Sequence, residues 1–197
     1  CLGSPVNFVV TVRPVPDAFA ADQTICSGQS ASLVISNPNG VSGTTFTWTV
    51  STATNVSGAL PGAGTSISQV LASLDGVTDG TVVYQITPSI NGCLGTPYDV
   101  TVTVKAVPVI TTSAVDLTAQ ICSGETLNFI PTSTIPGTTF NWTSSFVGTL
   151  DGVTITTSGT GLITDTPENL GNSTGIITYT ITPEFNGCQG AARNYVV

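Results

Sequence analysis

The sequence predicts an all-β protein made of two tandem β-sandwich repeats. Short runs of alternating apolar and polar residues lie between turns rich in Gly and Pro, and no stretch has helical periodicity. A set of motifs also recurs at a period of about 95 residues. The chain of 197 residues therefore holds two units, each large enough to bury its own core.

Both units carry four motifs in the same order. These are Ile-Cys-Ser-Gly at 25–28 and 121–124, Gly-Thr-Thr-Phe-x-Trp-Thr at 43–49 and 137–143, Tyr-x-Ile-Thr-Pro at 84–88 and 179–183, and Asn-Gly-Cys-x-Gly at 91–95 and 186–190. The opening residues, CLGSPVNFVVTV, match the end of this frame. We therefore predict that residues 1–13 are the last strand of a preceding repeat. Residues 14–105 are then the first full repeat, and 106–197 are the second, which is expected to be incomplete at its C-terminus.

The alternating runs of the first repeat predict its strands. The expected strand regions are Asp22–Ile25, Ala31–Ser36, Thr44–Val50, Thr65–Leu74, Thr81–Thr87 and Pro97–Val104. The last two regions are predicted to form a β-hairpin with a long tip that carries Cys93. The segments between strands hold the Gly and Pro residues and are predicted to be loops.

Two tryptophans and two tyrosines are predicted to lie in the cores. Trp48 stands in a run in which aromatic and apolar residues alternate with threonines, and Trp142 has the same position in the second repeat. A mid-strand Trp with apolar neighbours two residues away is expected in the core rather than on the surface as a sugar-stacking platform. The spacing Gly-x-x-x-Tyr before Tyr84 and Tyr179 resembles the tyrosine corner of immunoglobulin-like sandwiches. This resemblance implies that both tyrosines are core residues.

Composition limits the partners. Only three residues are Lys or Arg, eleven are Asp or Glu, and the net charge is −8. Without a basic face, binding to nucleic acid or to an anionic membrane is not expected, and no apolar run is long enough to insert into a bilayer. The sequence has no His, which excludes a Ser-His-Asp triad and any metal site that needs His. We expect no enzymatic activity.

Two acidic segments are the candidates for a metal site. Asp75 and Asp79 lie in Asp-Gly-Val-Thr-Asp-Gly, and Asp165 and Glu168 lie in Asp-Thr-Pro-Glu-Asn. Both segments are expected in the loop that precedes the Tyr-x-Ile-Thr-Pro strand, and Ca²⁺ binds several carboxylate and carbonyl oxygens of one flexible loop. The alternative is that these residues form turns in which their side chains bond to their own backbone, and the spacing matches no EF-hand loop. No cofactor is expected, with Ca²⁺ as the one candidate.

The combined motif frame, together with the alternating valines that follow it, resembles a known family of repeats. It is similar to the PKD-like and immunoglobulin-like tandem repeats of very large surface adhesins of Bacteroidota, including the gliding-motility adhesin SprB. The resemblance covers essentially the whole chain and implies two tandem immunoglobulin-like (PKD-like) sandwiches. It further implies export by the type IX secretion system to the cell surface, a filament of many repeats, and adhesion to surfaces or polysaccharide.

The five cysteines are expected to form disulfides, because a reactive thiol needs a cationic setting and the chain has few basic residues. Regularly placed cysteines also suit an oxidising exterior. One possible pairing is Cys26 with Cys93 and Cys122 with Cys188, which leaves Cys1 to a partner outside the chain. If the sandwich has immunoglobulin topology, however, Cys26 and Cys93 lie at opposite ends of a repeat, too far apart for a bridge. A head-to-tail string then favours Cys26 with Cys188, and both pairings remain open at this point.

Two functional hypotheses follow. The first is a structural stalk, in which the repeats of a long extracellular filament hold a distal adhesive region away from the cell for surface attachment or gliding. Its partners are neighbouring repeats, while other regions of the parent bind the surface or polysaccharide. The second is a carbohydrate- or protein-binding module of a secreted protein, for which Phe146 and Phe185 are the candidate loop aromatics.

Overall fold

The computed structural model describes residues 3–197, which form two β-sandwiches joined end to end. The sequence-based expectation for Cys1 falls outside the described residues. No helix in this range is long and apolar enough to cross a membrane. The predicted fold class, two tandem immunoglobulin-like repeats, is confirmed.

The first repeat consists of two layers. Its strands are β1 (Gln23–Cys26), β2 (Ser30–Val34), β3 (Thr45–Thr54), β4 (Val56–Ser57), β5 (Gly62–Ala63), β6 (Ser66–Val70), β7 (Ala72–Ser73), β8 (Gly80–Ile90), β9 (Cys93–Leu94) and β10 (Tyr98–Lys105). The larger sheet has the order β1-β10-β8-β3-β5, with β9 beside the end of β8. β1 runs parallel to β10, and the other neighbours are antiparallel. The second layer is formed by β2 and β6. β4 and β7 form a separate short pair, and β7 follows β6 directly along the chain.

The second repeat has the same topology with fewer regular strands. These are β11 (Thr139–Val147), β12 (Ser158–Thr160), β13 (Ile176–Phe185), β14 (Cys188–Gln189) and β15 (Arg193–Val196). They form one sheet in which β13 pairs with β11, β14 and β15. Single bridges stand where the first repeat has longer ladders: Phe129 with Ile163 replaces β2–β6, and Thr118 with Val196 replaces the parallel pair β1–β10.

Each repeat buries its own apolar core, centred on a tryptophan. Trp48 in β3 and Trp142 in β11 are 7% and 6% exposed. Each ring lies against a glycine of the neighbouring short strand, Gly62 for Trp48 and Gly159 for Trp142, and a Cβ at either glycine would overlap the ring. The bulky ring and the missing side chain therefore fit together in both repeats.

The two buried tyrosines connect the layers through their hydroxyl groups. Tyr84 donates to Oε1 of Gln69 at 2.7 Å, and Tyr179 donates to Oδ2 of Asp165 at 2.6 Å. Burial raises the pKa of Tyr84 to about 12. Burial and the adjacent Asp165 carboxylate raise the pKa of Tyr179 as well. A tyrosine corner bonds to nearby backbone, so these tyrosines differ from that motif in their acceptor.

Residues 3–13, expected to be the last strand of a preceding repeat, form no strand. Val6, Phe8, Val10 and Val12 are exposed along this segment. A strand needs a neighbour to satisfy its backbone N–H and C=O groups, and no strand of the described chain pairs with these residues. We call residues 3–13 the N-terminal arm.

The hairpin tip is tight, which differs from the expected long loop. Asn91 and Gly92 have positive φ angles of 46° and 82°, as a type I′ turn requires, and they connect the paired residues Ile90 and Cys93. The left-handed conformation is accessible to Asn and Gly, so the strands continue to the turn.

Replacing either core tryptophan should destabilise its repeat strongly. We expect Trp48→Ala and Trp142→Ala each to lower the free energy of unfolding by about 3–5 kcal/mol, because a large buried side chain leaves a cavity. Chemical denaturation followed by circular dichroism measures this. Val34→Ala, at a position 72% exposed, is the control and should change stability by less than about 0.5 kcal/mol. An unchanged denaturation midpoint in a Trp variant would contradict the assigned core.

Candidate functional site: the junction between the repeats

A disulfide joins the two repeats. Cys26, at the end of β1, is bonded to Cys188, at the start of β14, and their Cα atoms are 5.7 Å apart. Cys188 is buried, and the two cysteines are 162 positions apart in the sequence. This is the pairing that the head-to-tail topology favoured. The alternative bridges, Cys26 with Cys93 and Cys122 with Cys188, are wrong, because Cys26 and Cys188 are bonded to each other and both Cys93 and Cys122 are free thiols in the described chain.

The Asn-Gly turn of the second repeat positions this bridge. Asn186 and Gly187 have positive φ angles of 50° and 82° and reverse the chain from β13 into β14. The carbonyl oxygen of Asn186 accepts a hydrogen bond from Nζ of Lys105 at 2.9 Å. Lys105 is paired with Cys26 across β1 and β10. The same turn therefore receives a covalent bond and a charge-assisted hydrogen bond from one end of the first repeat.

The connection between the repeats is short and held at both ends. The N–H of Ala106 donates to Oδ1 of Asp79 at 2.9 Å, which ties the connection to the first repeat. The carbonyl of Pro108 lies so close to Gly190 that a Cβ there would overlap it. The N–H of Thr111 already donates to the second repeat, to the carbonyl of Thr132. Ile110 is paired with Ser133, and the carbonyl of Val109 accepts from the N–H of Thr134, so only residues 106–108 remain between the two domains, and two of them are buried.

The opposite end of the first repeat has the basic contact and the proline contact of the junction but no disulfide in the described chain. Nη1 of Arg13 donates to the carbonyl oxygen of Asn91 at 2.8 Å, as Lys105 does to the equivalent turn. The carbonyl of Pro16 lies against Gly95 as that of Pro108 lies against Gly190. Cys93 follows this turn without a bridge in the described chain. The chain thus approaches both repeats along equivalent paths.

The bridge, the lysine contact and the short connection restrict rotation and bending between the domains.

The serines of the two Ile-Cys-Ser-Gly motifs make structural hydrogen bonds to the backbone. Ser27 of the first Ile-Cys-Ser-Gly motif accepts from the N–H of Ser73, and Ser123 of the second accepts from the N–H of Asn169, both at 2.9 Å. The motif thus fixes the turn beside the cysteine in both repeats.

Asp75 is the centre of a closed hydrogen-bonded loop. Its Oδ1 accepts from the N–H groups of Val77 and Thr78, each at 2.9 Å, and from side chains of Asn55 and Ser73 at 3.0 Å. Its Oδ2 accepts from the Thr78 hydroxyl at 2.6 Å. These bonds, led by the Thr78 side chain, hold the pKa of Asp75 well below its usual range. Both carboxylate oxygens therefore accept hydrogen bonds from the turn and its neighbours. This is the turn-forming role that the sequence offered as the alternative to a Ca²⁺ site.

Asp165 lies elsewhere than its sequence pattern indicated. It stands two residues after Ile163, at the place that Gln69 takes after Ile67 in β6, and not in the loop before β13. Its Oδ1 accepts from the Thr156 hydroxyl at 2.6 Å, and its Oδ2 from buried Tyr179. The carboxylate is therefore a core hydrogen-bond acceptor.

The remaining candidates lie on the surface or at the junction. Glu168 is exposed, and Asp79 binds the connection through Ala106. Within residues 3–197, no three Asp, Glu or Cys side chains gather into a group that could hold a metal ion. Phe146, which is 42% exposed, lies in β11, and half-buried Phe185 is the last residue of β13, so the prediction that they are loop aromatics is wrong.

Sequence reasoning identified the bridged cysteines and set the boundary between the repeats at residues 105 and 106, beside Lys105 and Pro108, but it missed the contact of Lys105 with Asn186. Lys105, Asn186 and Pro108 each have a counterpart 92–95 positions away, Arg13, Asn91 and Pro16. The signal was present in the repeat alignment, since two of the three basic residues of the chain recur at the same place.

Comparison with known proteins identifies the repeats. The PKD-like domain family matches residues 23–108 and again 119–197. No curated protein matches the chain. Two solved structures align with it: DIP-gamma IG1+IG2, at 14% identity, 93% of this chain, 96% of that chain and a TM-score of 0.40, and Dpr11 IG1 bound to DIP-gamma IG+IG2, at 14%, 93%, 97% and 0.34.

The Asp75 loop gives a pH-dependent prediction. Because the folded-state pKa of Asp75 is lowered, its ionised form stabilises the fold above the unfolded carboxyl pKa of about 3.9, and this stabilisation is lost as the pH falls further. We expect Asp75→Asn to be less stable than the wild type at pH 7, with the difference shrinking at low pH. Thermal unfolding from pH 7 to about pH 2.5 measures it. Asp99→Asn is the control, since Asp99 accepts a single bond, from Gln85 at 3.2 Å; an equal, pH-independent loss in both variants would contradict the assignment.

Proposed function

Because the chain belongs to the PKD-like domain family, we propose that it is a stalk segment of a long extracellular adhesin, whose repeats hold a distal adhesive region away from the cell. Tandem PKD-like domains suit an adhesion or structural module, and a disulfide-bonded immunoglobulin-like domain fits an extracellular protein. The partners on this proposal are neighbouring repeats, while other regions of the parent contact the surface or polysaccharide.

The observation that carries the proposal is the bridge between domains. Tension applied to the two ends of the chain passes from Cys26 directly to Cys188, so the segment between them, which spans 162 positions of sequence, lies outside the covalent path of the force. Most of both sandwiches falls inside this closed loop. A segment built in this way resists extension even when a domain unfolds, which is the property that a stalk needs.

The contacts beside the bridge support the same role. The 106–108 connection is too short for free rotation. Lys105, just before it, donates to Asn186 of the second repeat, and Asp79 of the first repeat accepts from the N–H of Ala106. In a string of repeats, each domain contacts only its nearest neighbours. The bending stiffness of the filament therefore depends on the stiffness of each junction.

The finer part of the proposal concerns the parent protein. The shared motif frame resembles the repeats of giant Bacteroidota surface adhesins, which act in gliding motility and are exported by the type IX secretion system. We extend the proposal to this class, with the cell surface as the location and surface attachment as the purpose. Expression of a tagged parent in strains with and without that secretion system tests this part.

Force spectroscopy tests the stalk. Pulling on the termini of the oxidised wild type should extend only the residues outside the bridge. Cys26→Ser should add roughly 550 Å of contour length, since it frees the 162-residue segment at about 3.4 Å per residue. Cys93→Ser, which removes a free thiol at the equivalent tip, is the matched control and should behave as the wild type. Full extension of the oxidised wild type would overturn the mechanical role.

The competing hypothesis is a binding module. The stalk proposal expects no glycan or protein ligand to bind the isolated two-repeat chain on a glycan array or in a pull-down. Binding that is lost in Phe146→Ala, and retained in the exposed control variant Val153→Ala, would favour the binding module instead. Phe146 is chosen because it is the most exposed aromatic side chain of β11.

A further inference from the structure

A small open cavity lies beside the disulfide that joins the repeats. It has a volume of about 200 Å³, and both bridged cysteines line it, together with Gln29, Lys105 and Asn186. Sites for drug-sized ligands occupy ~300–1,000 Å³, so this cavity suits a molecule of only a few heavy atoms. A small molecule can therefore approach the bridge here.

The two sulfur atoms of the bridge differ in access. Cys188 is 1% exposed, whereas Cys26 is partly exposed. The backbone of Cys26 is fixed, because its N–H donates to Oε1 of Gln29 and its carbonyl accepts from the N–H of Gln29, both at 3.0 Å. A thiolate opens a disulfide by attacking one of its sulfurs, and the rate depends on access. The sulfur that a small thiol can reach is that of Cys26, with Cys188 as the leaving group.

Lys105 gives the cavity its charge. Among the described residues that line the cavity, it is the one with a charged side chain. Its Nζ donates to the carbonyl oxygen of Asn186 at 2.9 Å, and an ammonium group has three donors. The described contact therefore leaves donors for an anion. In a chain of net charge −8, the bridge thus lies beside a local positive charge.

We propose that this cavity binds a small thiol that carries a carboxylate, and that the bound thiol opens the Cys26–Cys188 bridge. The Lys105 ammonium attracts the carboxylate and the attacking thiolate, and the cavity gives that thiolate access to the Cys26 sulfur. The junction is thus opened by a reductant of this chemical class. Only the mechanical consequence of opening rests on the proposed stalk function.

The reaction is a two-step thiol–disulfide exchange. The thiolate of the small molecule forms a bond to the Cys26 sulfur, the bond between Cys26 and Cys188 breaks, and Cys188 leaves as a thiolate that takes a proton from solvent. A second small thiolate then attacks the sulfur of the first, and Cys26 leaves and is protonated in the same way. Two small thiols are oxidised to their disulfide, and the protein disulfide is reduced to two thiols.

Opening the bridge changes the junction and not the cores. Each repeat has its own apolar cluster. The contact of Lys105 with Asn186 and that of Ala106 with Asp79 do not involve the sulfur atoms. Under tension, however, the segment between the two cysteines then joins the covalent path of the force. A stalk with an open bridge becomes extensible, so the thiol controls its length under load.

Reduction kinetics in solution test the binding site. The protein carries Cys1→Ser, Cys93→Ser and Cys122→Ser, so that the bridge is its only source of thiols. Reduction by β-mercaptopropionate, which has a carboxylate, is compared with reduction by cysteamine, which has an ammonium group, at equal thiolate concentrations. Alkylation and mass spectrometry measure the thiols released. We expect Lys105→Gln to lower the ratio of the two rates by about fivefold or more, because a unit charge at contact distance is removed.

Arg13→Gln, in the same background, is the matched control. It removes the same charge and the same kind of contact, from Nη1 of Arg13 to the carbonyl oxygen of Asn91, at an end of the first repeat that has no disulfide in the described chain. This variant should keep the parent ratio. A looser junction in Lys105→Gln speeds both thiols alike and does not change the ratio. An unchanged ratio in Lys105→Gln, or an equal fall in both variants, would overturn the proposed site.

Mapping of the mixed disulfide tests the direction of attack. The reaction with β-mercaptopropionate is quenched with acid at early times, and the peptides are identified by mass spectrometry. We expect the adduct on Cys26 and a free thiol at Cys188. An adduct found mainly on Cys188, or equally on both cysteines, would overturn the assigned attack.

The thiol site and the stalk fail separately. Reduction kinetics are measured on protein that bears no load, so loss of the Lys105 effect would leave the stalk proposal standing. Full extension of the oxidised protein under force would remove the stalk role and leave the selectivity for the anionic thiol unchanged.

Discussion

The bridge between Cys26 and Cys188 is the constraint on which the arrangement of the two repeats depends. It requires the end of β1 and the β13–β14 turn to lie within bonding distance, which fixes the end-to-end placement of the sandwiches. Lys105 and the 106–108 connection fit the same placement. Because a disulfide across a long loop mainly restricts the unfolded chain, we expect this bond also to stabilise the repeats that it encloses.

The two repeats reach the same fold through different side chains. Tyr84 is satisfied by the amide of Gln69, whereas Tyr179 is satisfied by the carboxylate of Asp165. The indole N–H of Trp48 donates to the carbonyl of Leu60 at 3.2 Å, while that of Trp142 has no acceptor among the described residues. The second repeat also replaces ladders with single bridges. What both copies retain is the packing of Trp on glycine and the turn that presents the cysteine.

The repeated motifs each have a physical reason in the structure. Asn-Gly adopts the left-handed turn that places Cys93 and Cys188, and the second glycine of that motif leaves room for the carbonyls of Pro16 and Pro108. Ser27 and Ser123 fix the loop beside the other cysteine. The acidic segments show the limit of such reasoning, because Asp75 and Asp165 occupy similar sequence patterns but stand in a surface turn and in a core. A short polar motif therefore does not reveal whether its residues lie in a surface turn or face the core.

The sequence by itself determined the all-β class, the two repeats, the core positions of Trp48 and Trp142, and the choice of residues that turn the chain. These features depend on alternation and on local backbone preferences, which act over a few residues. The tertiary structure decided the partner of Tyr179, the absence of a strand in residues 3–13, and the contact between Lys105 and Asn186. Each of these depends on which distant segments meet, since a hydrogen bond between residues 81 positions apart leaves no periodic signal along the chain.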